Sequence, residues 1–212
     1  MLDLAWHKTP LLIQKLLPSL RWRENPEKKT IYLTFDDGPI PELTPKILQI
    51  LSTHNAVATF FCVGDNISKH PEIFKQVVSA GHTVGNHTYN HVKGWKLNSQ
   101  DYLENIDLCQ AKIDELSNPN KKIFRPPYGQ IKPSQANKLK RSGFKIIMWD
   151  VLSKDYETNL NHEKALNAII NATRSGSIIV FHDNIKAQNN VLTLLPLYIN
   201  HFKKKGFKFE SL

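Results

Sequence analysis

Short, almost wholly apolar runs alternate along this chain with longer stretches of mixed polarity, the pattern of buried strands exchanging with surface helices. Runs such as Ile31-Tyr32-Leu33 and Ala58-Thr59-Phe60-Phe61 mark the first kind, and strands are expected over 30–35, 57–62, 82–86, 122–124, 144–149, 177–182 and 207–210. Helices fill the intervals: one opening at Thr44 as N-cap with Pro45 in the first helical position, then 71–80, 99–117, 133–142, 162–174 and 191–205. Gly81, Gly143, Gly176 and Gly206 stand just past helix ends, where glycine lets the chain turn and satisfy the last carbonyls. Alternation of this kind implies a parallel sheet, and seven strands each flanked by a helix suggest a barrel.

Residues 1–29 precede the first strand and join an apolar stretch (Leu11, Leu12, Ile13, Leu16, Leu17) to Lys8, Lys15, Arg21 and Arg23. The segment reads as one helix, with Thr9 as N-cap and Pro10 in the first turn. It either packs on the barrel's flank or bottom, or lies as an interfacial helix on an anionic membrane. Its apolar run is far short of the ~20 residues that span a bilayer, and it lacks the parts of a secretory signal. A cytoplasmic or membrane-peripheral place is therefore expected over a secreted one.

Composition narrows the picture further. At 212 residues and 41% hydrophobic content the chain has enough apolar material for one core and needs no second domain. The formal charge of +9 raises nucleic acid as a partner. The cations are scattered in short clusters (Lys28-Lys29, Lys121-Lys122, Lys203-Lys204-Lys205) with no arginine-rich helix or stacking signature, so no nucleic acid is expected. Attraction to an anionic wall polymer or membrane fits better. Cys62 and Cys109 make no disulfide framework.

The chemistry begins at Thr34-Phe35-Asp36-Asp37-Gly38-Pro39, which delivers two adjacent carboxylates to a strand end. Neighbouring side chains in a strand point to opposite faces, but the Gly38-Pro39 turn ends the strand there and lets both acids reach one cleft. One can then hold a metal while the other takes a proton. His87-Thr88-Tyr89-Asn90-His91 adds two imidazoles at a spacing that faces them together on a helical turn or tight loop. Asp37, His87 and His91 make three nitrogen and oxygen ligands with a fourth position open, the pattern of a catalytic zinc site. His7, His54, His70, His82, His162 and His201 lack a partner acid at motif spacing and are not counted as ligands.

The order of five segments resembles the polysaccharide deacetylase family, also called the NodB-homology domain or carbohydrate esterase family 4. The segments are Thr34–Pro39, His87–His91, Arg125-Pro126-Pro127-Tyr128-Gly129, Trp149–Tyr156, and Val180-Phe181-His182 followed by Asp183. The resemblance covers residues 30–212 as the catalytic domain, with 1–29 as a helical extension. It implies a single-domain α/β fold, the TIM-barrel-like, distorted (β/α)7 barrel. It also implies that Asp36 is the general base, that Asp37, His87 and His91 hold Zn2+ (Co2+ or Ni2+ as substitutes), and that His182 is the general acid. Arg125 resembles the family arginine that pairs with the base. The backbone N–H of Tyr128, after Pro127, resembles the donor that helps the metal hold a developing oxyanion.

The fourth segment departs from the family form Asp-x-x-Asp-Trp and reads Leu152-Ser153-Lys154-Asp155-Tyr156. The first acid is missing. Asp150 is expected to replace it beside His182, because positions 150 and 152 share a face if 144–152 is extended. Tyr156 keeps an aromatic wall, and Tyr89, Trp95, Tyr128 and Trp149 are further candidates to stack on sugar rings. The resemblance implies hydrolytic de-N-acetylation of an N-acetylated glycan: peptidoglycan, chitin-like oligomers or a surface polysaccharide. Alternatives are deacylation of a small non-sugar amide or an O-acetyl ester, and a catalytically silent carbohydrate-binding protein on the same fold.

Overall fold

The computed structural model describes residues 7–117 and 121–212. Its strands are β1 (Thr30–Asp36), β2 (Ala58–Cys62), β3 (Thr83–Asn86), β4 (Ile123–Phe124), β5 (Lys145–Ile146), β6 (Val151–Leu152), β7 (Ile178–His182) and β8 (Lys208–Phe209). They form one parallel sheet in the order β5-β4-β3-β2-β1-β7-β6, with β8 pairing the start of β1. The helices are α1 (Leu11–Leu16), α2 (Thr44–Thr53), α3 (Gly64–Lys69), α4 (Pro71–Ser79), α5 (Ser99–Leu116), α6 (Pro133–Arg141), α7 (His162–Ala172) and α8 (Gln188–Lys204).

Every residue of β1 is buried, as expected of a parallel strand covered on both faces. Side-chain alternation divides them. Ile31, Leu33 and Phe35 pack outward in the main core with Leu194, Tyr198 and Phe202 of α8. Tyr32 joins Phe61, Ile123, Ile147 and Ile178 in a separate cluster, to which each of four strands or strand ends sends one side chain. Thr34 and Asp36 share the parity of Tyr32, so Asp36 ends the row on that face.

Of the expected strand 144–149 only β5 forms, and β6, which was not expected, follows it across 147–150. Residues 145–146 pair with β4 and 151–152 with β7. The chain between them is engaged by the N-terminal segment: Arg21 bridges Ile147, Arg23 bridges Ser177, and Lys8 bridges Val151. Residues 7–24 therefore strap the side of the sheet where β5 gives way to β6. The expected long N-terminal helix is reduced to the six residues of α1, and residues 1–6 of that expectation lie outside the described residues. Backbone pairing competes with helix here. Thr9 does not cap it either; its hydroxyl donates to the Trp149 carbonyl at 2.9 Å. Thr44 is likewise the first helical residue rather than the N-cap. Helix α3 was not expected. Four of the glycines, Gly81, Gly143, Gly176 and Gly206, do stand past helix ends with positive φ.

Asp150 anchors the strap. Its carboxylate meets Lys8 Nζ at 2.7 Å and Arg23 Nε at 3.1 Å, and accepts from the Ser177 hydroxyl and the Ile178 N–H. This corrects the expectation that Asp150 stands beside His182: its partners are on the strap and at the N-terminal end of β7, whereas His182 is at the other end. Burial pushes its pKa up, against the opposing pull of Lys8 and Arg23. Removing one member of a buried charge cluster leaves the others uncompensated. Asp150→Ala is therefore expected to lower unfolding stability by about 2–4 kcal/mol in urea titration, while any rate-versus-pH profile keeps its shape.

Candidate active site

Strand register brings the site together. Asp36 at the end of β1 is the register partner of His182 at the end of β7, and Asn86 of β3 pairs with Phe124 of β4, which sets His87 beside Arg125. All four strand ends are C-terminal, the catalytic face of (β/α) barrels. The cleft there has a volume of about 420 Å³ and is lined by Asp36, Asp37, His87, His91, Tyr128, Tyr156, His182, Asn184 and Lys186.

Arg125 lies at the centre, fully buried. Its Nη1 donates to Asp36 Oδ1 at 2.7 Å and to the Thr34 hydroxyl at 2.6 Å, while Nη2 and Nε donate to the carbonyls of Met148 and Ile147. The guanidinium carbon stands 4.1 Å over the Phe61 ring. Its backbone carbonyl accepts from His87 Nδ1 at 2.8 Å, which fixes the tautomer and leaves Nε2 as the ligand nitrogen.

Whereas Asp36 meets Arg125, Asp37 has φ 86°, outside strand geometry, and faces the two histidines. Its Oδ1 lies 3.5 Å from His87 Nε2 and 3.0 Å from His91 Nε2. The three ligand atoms fall within 4.8 Å of one another, and among the described residues this is the one group of histidine, cysteine or acidic side chains so placed. A divalent cation fits this donor set: two imidazole nitrogens and a carboxylate, with one imidazole already oriented by a carbonyl. Burial pushes the Asp37 carboxyl up, but the adjoining imidazoles of His87 and His91, with His182 beyond them, outweigh it and hold it well below the usual range. Thr88, His91 and Tyr128 also have positive φ. Such non-glycine residues cost about 1–3 kcal/mol each and concentrate at functional sites. Asn86, whose amide donates to the Ile106 carbonyl of α5, accepts from the Thr88 N–H and so holds the histidine loop.

His182 Nδ1 meets Asp155 Oδ1 at 2.7 Å, and the His182 N–H donates to the other oxygen. Asp155, not Asp150, is thus the carboxylate behind this histidine. The acid that the fourth segment was read as lacking is supplied three residues on, because the chain turns back at Lys154 (φ 59°). Burial alone would lower the His182 pKa; the charge and hydrogen bond of Asp155, with Asp37 and Asp36, outweigh it and raise the group to about 9. Asp183 buttresses the other side, accepting from the Gly38 N–H and the Thr44 hydroxyl. A Cβ on Gly38 would stand 1.8 Å from Asp183 Oδ2, so only glycine fits.

Three expectations about aromatics need correction. Trp149 packs beneath Gly129, within reach of Arg125, and is not on the cleft wall. Trp95 and Tyr89 also stand outside it. Tyr128 and Tyr156 do line it, the latter edge-on to His182 at 5.2 Å between centroids. Pro127 is buried and opens the short 127–129 turn that exposes Tyr128. Asn184 was missed altogether: its Nδ2 donates to Asp37 Oδ2 at 2.6 Å while its Oδ1 caps the next turn at the Ala187 N–H. Its position two residues after His182 was the available signal.

Residues 23–147 match the polysaccharide deacetylase family model, and the chain belongs to that family. It is a hydrolase of the carbohydrate esterase 4 type. It is 33% identical over 206 residues to a peptidoglycan-N-acetylglucosamine deacetylase of Bacillus cereus, covering 95% of this chain and 96% of that one. The fold matches the crystal structure of the Bc1960 peptidoglycan N-acetylglucosamine deacetylase with a TM-score of 0.89 at 32% identity, over 96% of this chain and 95% of that chain. It also matches BA3943 of Bacillus anthracis, described as a pseudoenzyme of the same family, at 26% identity and a TM-score of 0.82, over 90% of this chain and 66% of that chain.

Asn184 holds the one Asp37 oxygen that does not face the histidines. Outer partners of this kind cost about 10–100-fold in metal affinity when removed. Asn184→Ser keeps an oxygen for the cap but, one atom shorter, no longer presents the amide N–H to Asp37, and is expected to weaken zinc binding by that factor in a chelator competition with little change in Tm.

Proposed function

We propose that this protein removes the acetyl group from an N-acetylated sugar of peptidoglycan, releasing acetate, with a divalent metal held by Asp37, His87 and His91. Zinc suits the donor set, and cobalt or nickel are the expected substitutes. The observation that carries the reading is the single cleft in which this triad faces an arginine-paired Asp36 on one side and an aspartate-paired His182 on the other.

When bound, the metal polarises the amide carbonyl and acidifies the attacking water. Asp36, held by Arg125 on one oxygen, keeps the other for the water's proton. His182 carries its proton at neutral pH because Asp155, Asp37 and Asp36 raise it to about 9. It gives that proton to the leaving nitrogen, since an amide nitrogen does not depart as an anion. Acetate and a free sugar amine result. The Tyr128 N–H supplies a backbone donor to the oxyanion, and the rings of Tyr128 and Tyr156 form apolar walls for the sugar.

The relation to BA3943 gives the silent alternative a precedent. The complete pairs Asp36–Arg125 and His182–Asp155 favour turnover, because a glycan binder needs neither. Non-sugar amides and O-acetyl esters have no feature of the cleft in their favour.

Asp36→Asn is expected to lower kcat by about 10²–10⁴-fold with one metal still bound per chain; near-normal acetate release would remove the base assignment. The raised pKa of His182 places loss of the acid form, and so the alkaline limb of kcat/KM, towards pH 9, with a bound cation offsetting the share due to Asp37. Asp155→Asn takes away the largest upward contribution, so the limb is expected to move to lower pH. A limb that stays in place would separate it from the His182–Asp155 pair.

A further inference from the structure

The strap that closes the sheet also carries four leucines that the fold does not bury. Leu11, Leu12, Leu16 and Leu17 are 52%, 67%, 69% and 45% exposed, and α1 contains no buried residue. Leu12 and Leu16 are one turn apart and share a face, with Leu11 and Lys15 beside them. Next to this face is an apolar hollow of about 290 Å³ whose walls include Leu17, Trp22, Trp95 and Ile131. Trp95 is 61% exposed, with its ring nitrogen tied to the Ile131 carbonyl.

Within the segments that wall the hollow, charge has one sign. The segments that wall the hollow, residues 13–22, 95 and 129–148, contain no aspartate or glutamate, and they hold Lys15 and the basic end of α6, Lys138, Lys140 and Arg141. Leucines flanked by lysine, an exposed tryptophan and a cationic rim match the surface of an anionic bilayer. The apolar groups enter the headgroup boundary, tryptophan sits at the interface, and lysines meet lipid phosphates.

We propose that this face, α1 with Trp95 and the basic end of α6, docks the enzyme on an anionic lipid surface. The hollow and the catalytic cleft share the 127–129 turn: Tyr128 lines the cleft and Gly129 the hollow. Docking would therefore hold the cleft beside the membrane and favour glycan close to it. Docking itself is independent of the reaction, whereas the preference for glycan near the membrane rests on the proposed function.

The test is co-sedimentation of the full chain with vesicles of phosphatidylcholine alone and of phosphatidylcholine with an equal part of phosphatidylglycerol. Binding to the anionic vesicles alone, weakened by salt, is expected, and the double variant L12E/L16E should weaken it about tenfold or more. Both leucines are exposed, so the variant should keep the parent's Tm and its metal affinity. Equal binding of variant and parent, or no binding of the parent to anionic vesicles, would overturn the proposal. So would a concentration-dependent dimer of the parent, abolished in the variant, with no vesicle binding; that result would give the face to a second copy of the chain.

Discussion

The buried guanidinium of Arg125 is the interaction on which the rest of the site depends. A charge taken wholly out of water is tolerated only where its donors are matched, and here β1 supplies Asp36 and Thr34 while the chain after β5 supplies two carbonyls. The same residue's carbonyl orients His87. One side chain and its own backbone thus link the carboxylate proposed as base, a proposed metal ligand and the seam between β5 and β6. The strap of residues 7–24 completes that seam from outside, through Arg21 at Ile147 and through Asp150.

Two neighbouring aspartates take different work because their surroundings differ. Asp36 stays in strand geometry and meets the guanidinium. Asp37, one residue on, leaves it with a positive φ and meets two imidazoles and the Asn184 amide. Each histidine is likewise set by what holds its second nitrogen. A carbonyl behind His87 orients its ring with Nε2 towards Asp37, and a carboxylate behind His182 raises its pKa. The division of labour follows from hydrogen bonding rather than from residue type.

Much of this was legible in the sequence where a local pattern decides the outcome. Apolar runs located β1, β2 and β7, and the motif residues around the strand ends line one cleft. The failures came where distant contacts decide. The N-terminal apolar stretch reads as a helix, yet pairing with residues 146–152 and 176–177 leaves helix only over Leu11–Leu16. Asp150 seemed well placed for His182 because strand parity was carried through a segment that bends at 147–150 and turns back at Lys154. Asp155 lies inside the fourth segment and Asn184 just past the fifth, but their partners depend on turns whose geometry no spacing specifies.

The most direct test of the account is acetate release from peptidoglycan fragments and N-acetylglucosamine oligomers by metal-stripped protein, with and without added zinc, cobalt or nickel. The account predicts no release from the stripped protein and recovery as about one metal per chain is bound. Full metal occupancy with no acetate released from either substrate would contradict it, and would place this chain with the silent members of its family.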